Sequence, residues 1–173
     1  MVDIGRGTDK LHFHYKSLPH WDKNGKLINI KKPAIEITFR KFSEKKSLEN
    51  RELRLNALVD SGADRSFLPK EVTDALRLDI QTTDQKILTI AGDTNVFESK
   101  VYAEIQRYEK LPIPIGILNV FVMPHNVKET QVPHFVILGR KDFFEKFEVT
   151  INESAQYITL KDIHKERAKQ TRF

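Results

Sequence analysis

An all-β, barrel-like fold is what this sequence predicts. Three observations lead there: apolar and polar residues alternate one by one in a series of short stretches, clusters of Gly, Pro, Asn and Asp separate those stretches, and only two short segments carry helical spacing. No internal repeat or low-complexity segment interrupts the pattern.

Taken in order, Leu11, Phe13 and Tyr15 alternate with His12, His14 and Lys16, the period of a half-buried strand. Asn24-Gly25 then supplies the positive φ angles of a tight hairpin turn, with Leu27 to Ile30 as the return strand. Ile35, Ile37 and Phe39 alternate with Glu36, Thr38 and Arg40, and the charged stretch from Lys41 to Glu52 reads as a solvated loop. Leu53, Leu55, Ala57 and Val59 resume the alternation and run directly into Asp60-Ser61-Gly62-Ala63-Asp64. A polar, acidic motif is thereby placed at a strand end.

Pro69 opens a helix, because a missing N–H costs little in the first turn, and Val72, Ala75 and Leu76 share its apolar face. That helix ends near Leu78. Ile87 to Ile90 and Val96 to Ile105 form a long hairpin around a turn-rich tip, Ala91-Gly92-Asp93-Thr94-Asn95. Pro112 and Pro114 mark a connection before the apolar run Ile115 to Met123, and Phe135 to Leu138 is a short, wholly apolar strand. Phe143, Phe144 and Phe147 stand at helical spacing, and Phe147 to Ile151 with Tyr157 to Leu160 predicts a closing hairpin.

The chain has 173 residues, the size of one compact domain able to bury a core without metal or disulfide staples. Residues 33–160 are expected to form that domain, with 1–32 as an N-terminal hairpin extension and 161–173 as a basic tail. Without cysteine there is no disulfide framework, thiol nucleophile or zinc-thiolate site. His12 and His14 share a strand face, but no third ligand accompanies them, so no metal and no cofactor are expected. No apolar run approaches the roughly 20 residues of a membrane span, and Met1 to Lys10 lacks the apolar stretch of a signal peptide. The expected compartment is the cytoplasm, with no membrane partner.

The net charge of +5 raises the question of nucleic acid. Its positions answer against that partner: the charges are scattered apart from the mixed-sign stretch Arg40 to Arg54 and the tail from Lys161 to Arg172, and neither is interleaved with aromatics for base stacking.

Asp60-Ser61-Gly62 alone is an ordinary set of turn residues. Its context adds information. Leu58-Val59 buries the approach, Gly62-Ala63 leaves the backbone beside the carboxylate open, and Ser66-Phe67-Leu68 returns to apolar packing. Further along, Ile137-Leu138-Gly139-Arg140 precedes a short amphipathic segment. These two motifs, in this order, resemble the retropepsin family of aspartic proteases from about Pro33 to Leu160.

The resemblance implies a retropepsin-like barrel of one lobe with one or two short helices. It implies that Asp60, Ser61 and Gly62 form the catalytic turn, that Ala63 and Asp64 border the substrate, and that Ile90, Ala91 and Gly92 belong to a flap. Ile137, Leu138 and Gly139 would cross beneath the turn, and Arg140 would pair with Asp64 in a buried, interface-orienting role. The flap sequence departs from the family, since Gly92 is followed by Asp93, Thr94 and Asn95 where more glycine is usual.

Hydrolysis of a peptide bond by this route needs one group to deprotonate water and another to protonate the carbonyl oxygen. Two carboxylates held about 3 Å apart cannot both ionise, and so divide those tasks. The chain contains one Asp-[Ser/Thr]-Gly triplet. The expectation is therefore a homodimeric aspartic endopeptidase acting on a peptide or protein substrate. The alternative is an inactive dimer of the same fold that serves as a binding or scaffolding module.

Overall fold

The computed structural model describes residues 10–42, 51–89, 92–108, 110–122 and 135–163. Among these, the strands are β1 (Lys10–His14), β2 (Lys16–Trp21), β3 (Leu27–Lys32), β4 (Ala34–Lys41), β5 (Glu52–Val59), β6 (Ser66–Leu68), β7 (Gln81–Thr89), β8 (Gly92–Ile105), β9 (Ile113–Val122), β10 (Val136–Leu138), β11 (Phe147–Asn152) and β12 (Tyr157–Asp162). One α-helix, α1 (Lys70–Leu76), and one π-helical turn, Arg140–Phe144, complete the description. The fold is all-β, as the alternation predicts.

Six strands close a barrel in the order β4-β5-β10-β6-β9-β8, with β8 returning to β4. Closure rests on the length of β8. Its first half pairs with β7, its last residues Val101–Ile105 pair with β4, and its other edge pairs with β9 from Phe97 to Ile105. Across β8 and β9 the register shifts between Ala103 and Glu104, beside Gly116 at φ +93. This bulge bends the strand, and Lys146 donates to the carbonyl oxygen of Ile115 next to it. Arg40 joins β4 to both neighbours, with Glu52 at 2.9 Å and the buried Glu104 at 3.0 Å.

The barrel interior is filled by the inward rows of the alternating strands: Ile35, Ile37 and Phe39 of β4, Ala57 and Val59 of β5, Val101, Ala103 and Ile105 of β8, and Leu118 and Val120 of β9. Branched and aromatic side chains suit this pleated, two-sided packing. The predicted closing hairpin is present as β11–β12, and β1 adds to its edge through Lys10↔Lys161 to His14↔Tyr157. Leu11, Phe13 and Tyr15 join the barrel's own core cluster. Residues 10–15 thus pack as part of the barrel unit, while β2 and β3 form a separate two-stranded sheet. The connection of that hairpin spans residues 22–26 and takes a positive φ at Gly25 (φ 73) but not at Asn24, which corrects the expected tight turn; it is closed by Asp22, whose Oδ1 accepts the backbone N–H groups of Asn24 and Lys26, each at 2.8 Å.

Several local expectations are corrected. Gly92 to Asn95 are not a turn but the start of β8, because Gly92 already pairs with Thr89 and Asn95 with Lys86. On α1 the buried positions are Thr73 and Leu76, whereas Ala75 is exposed; the Thr73 hydroxyl is satisfied by the Pro69 carbonyl oxygen at 3.2 Å. The helix expected around the phenylalanines is a single irregular turn, with Lys141 extended and Asp142 at φ 73. Phe143 and Phe147 are buried with ring centroids 5.3 Å apart. The expected loop after Lys41 is shortened by β4 and β5, and residues 43–50 lie outside those described. Met123 and residues 164–173 of the tail do so too.

Candidate active site

The strand order creates the site. β5 ends at Val59 and β6 begins at Ser66, yet these strands do not pair with each other, because β10 runs between them. β10 pairs in parallel with β5 (Ile137↔Leu58, Leu138↔Val59) and antiparallel with β6 (Ile137↔Phe67). The connection from Asp60 to Arg65 must therefore arch over the end of β10. Parallel pairing over this distance in sequence cannot arise locally, so the later motif holds the earlier one.

The arch is fastened by backbone hydrogen bonds. Asp60 N–H donates to the Leu138 carbonyl oxygen at 3.0 Å, Arg140 N–H to that of Ala63 at 2.8 Å, and Lys141 N–H to that of Asp64 at 3.0 Å. The Ser66 hydroxyl, fully buried, accepts the Gly139 N–H at 3.1 Å. Gly139 is extended, and the reason for glycine there is space. A Cβ would overlap the carbonyl group of Arg65 and lie 2.9 Å from the carbonyl oxygen of Ala63.

Within the turn, Asp60 is half-buried and its Oδ1 accepts the Gly62 N–H at 2.8 Å. This local bond fixes the carboxylate at the start of the arch, in the manner of an Asx turn. Ser61 and Gly62 are exposed, and Ala63 is half-buried. The other carboxylate, Asp64, is committed to Arg140 in an ion pair. That pair is not buried in the single chain: the side chains are 79% and 62% exposed. Ser61, Asp64, Arg140, Lys141, Phe144 and Glu145 border an open hollow of about 470 Å³ beside the turn.

The structure thus brings together Asp60, Ser61, Gly62, Ala63 and Asp64 with Ile137, Leu138, Gly139 and Arg140. Of the expected flap residues, Ile90 and Ala91 lie outside those described, and Gly92 opens β8 opposite Thr89.

One row of apolar side chains lies outside the barrel interior. Leu58, Ile137, Phe67 and Phe121 are successive register partners across β5, β10, β6 and β9. Their chain neighbours Val59, Leu138, Leu68 and Val120 are buried in the barrel interior, so the row occupies the opposite face of the sheet. Asp60 follows Leu58 by two and falls on that same face. Phe67 and Phe121, rings 5.7 Å apart, form a second small cluster with Val96, separate from the main core. The Arg65 guanidinium carbon lies 5.2 Å from the centre of the Phe121 ring. The signal in the sequence was the step of two from Arg65 to Phe67, which places both on one strand face.

No family model matches the chain, and no curated protein matches it. Among solved structures it is similar to EIAV protease complexed with the inhibitor HBY-793, at 20% identity and TM-score 0.43 over 66% of this chain and 88% of that one. It is also similar to a retropepsin-like aspartic protease from Rickettsia conorii, at 14% identity and TM-score 0.41 over 91% of this chain and 96% of that one. Among the described residues no helix is long and apolar enough to cross a membrane, and no group of three His, Cys, Asp or Glu side chains is placed to hold a metal ion.

Proposed function

We propose that the protein is an aspartic endopeptidase whose active site forms between two copies of the chain, each contributing Asp60. The observation that carries this reading is the braced arch: a half-buried aspartate fixed at a strand end by Gly62 N–H and by Leu138, over a crossing point that only glycine can occupy. A turn with no chemical task does not call for that degree of fixation. A catalytic carboxylate does, because it must be held near its productive geometry.

In this reading a two-fold axis passes beside the arch and brings the two Asp60 carboxylates onto one water molecule. The ionised carboxylate takes a proton from the water as it attacks the peptide carbonyl carbon, and the protonated one donates to the carbonyl oxygen. The tetrahedral intermediate collapses as a proton passes to the leaving nitrogen. Ser61, exposed at the arch, reaches across to the other copy, while Gly62, Ala63 and Asp64 border an extended peptide. The β7–β8 hairpin, with Ile90, Ala91 and Gly92, closes over it and excludes water.

The test is cleavage of a peptide library between about pH 4 and 7, with and without a pepstatin-type inhibitor. Wild type should cleave and be inhibited, and Asp60→Asn should fall to background. Equal cleavage by the variant would remove Asp60 from the mechanism.

A further inference from the structure

We propose that the substrate presents an acidic side chain to Arg65, next to an apolar side chain seated on Phe67 and Ile137. The inference rests on the protease reading above and names the class of peptide it acts on.

Arg65 ends the same arch that begins with Asp60, and it is half-buried. Its guanidinium is held over Phe121, a placement that restricts the long side chain and limits the entropy lost on engaging a ligand. Among the described residues no carboxylate pairs with it. The contrast with Arg140 is informative: that cation is already paired with Asp64. Arg65 therefore offers a positive charge set over the Phe121 ring and paired with no carboxylate among the described residues, a few residues from the proposed reacting centre.

The floor beside it is apolar and lies outside the core. Leu58, Ile137 and Phe67 are each half-buried on the face that carries Asp60. An extended peptide places alternate side chains on one side. One of these can rest on the apolar row and the next on the same side can reach the guanidinium. A carboxylate meets a planar, five-donor cation most effectively through paired hydrogen bonds, which selects Asp or Glu over neutral or basic residues.

The experiment uses two readouts so that this inference and the protease reading can fail separately. The first is affinity of the full-length Asp60→Asn variant for fluorescent peptides that differ only in one residue, Glu, Gln or Lys, flanked by apolar residues. The Glu peptide should bind about tenfold more tightly than the Gln peptide, and Arg65→Glu introduced into the same variant should reverse the order in favour of Lys. The second is the cleavage profile of wild type, which should show the same acidic preference. Equal affinities, an order unchanged by Arg65→Glu, or no binding of any of the three peptides overturns the inference. Selective binding with no cleavage by wild type retains the acidic site and rejects the protease reading.

Discussion

The backbone N–H of Asp60 donates to the carbonyl oxygen of Leu138 at 3.0 Å, so the candidate catalytic residue is positioned by a strand that the chain adds much later. Among the described residues, the hydrogen bonds that fasten the arch run within it or to residues 138–141. The site should therefore fail when the crossing strand is disturbed, even if the acidic motif is untouched.

Gly139→Ala tests that dependence. Its methyl group would meet backbone rather than a movable side chain, and forced overpacking costs about 1–3 kcal/mol, occasionally more. Chemical denaturation should show a loss of about 2 kcal/mol or more, with peptide cleavage lost in whatever fraction remains folded. A neutral Gly139→Ala variant would contradict the close crossing.

Arg140→Gln should separate chain stability from assembly. The Asp64–Arg140 pair is largely exposed in one chain, and exposed pairs contribute about 0–1 kcal/mol after screening. Unfolding of the single chain should shift by less than about 1 kcal/mol. Because the pair borders the hollow beside Ser61, association of two copies should be weaker by analytical ultracentrifugation. A loss of several kcal/mol in the isolated chain would place the pair in the core instead.

Tyr15 gives a pH signature. Its phenol is buried, no partner meets its hydroxyl in hydrogen-bond geometry, and burial first, then the nearby Glu153 carboxylate, raise its pKa above the ordinary 10.0. With the folded-state value above the unfolded one, this contribution is intact below about pH 10 and is lost as pH rises through the folded value. Stability should fall in that alkaline range. Tyr15→Phe should flatten the fall, measured as urea midpoints between about pH 8 and 11, and an unchanged alkaline slope would assign it to another group.

Much of this architecture was legible because alternation states which residues share a face. The inward rows of Ile35, Ile37 and Phe39, the hairpin at Asn24-Gly25 and the closing β11–β12 pair all follow from local spacing and turn chemistry. What alternation leaves open is which strand lies beside which. β1 pairs with β12 from the far end of the chain, and Phe67 belongs to the outer face although its neighbours enter the core. Ala75 and Thr73 exchanged roles for a related reason: hydropathy ranks alanine above threonine, but a hydroxyl bonded to the Pro69 carbonyl can be buried. The acidic turn and its crossing partner were legible as motifs, whereas Arg65 gained its meaning only from the Phe121 ring brought to it by β9.

If one catalytic centre needs Asp60 from each of two chains, as proposed, mixing of chains reveals it. Wild type and Asp60→Asn, unfolded together in equal amounts and refolded at constant total protein, should retain about one quarter of the cleavage activity if both acids are required. Retention of one half, in proportion to the wild-type chains present, would mean that each chain acts alone, and the account would be wrong.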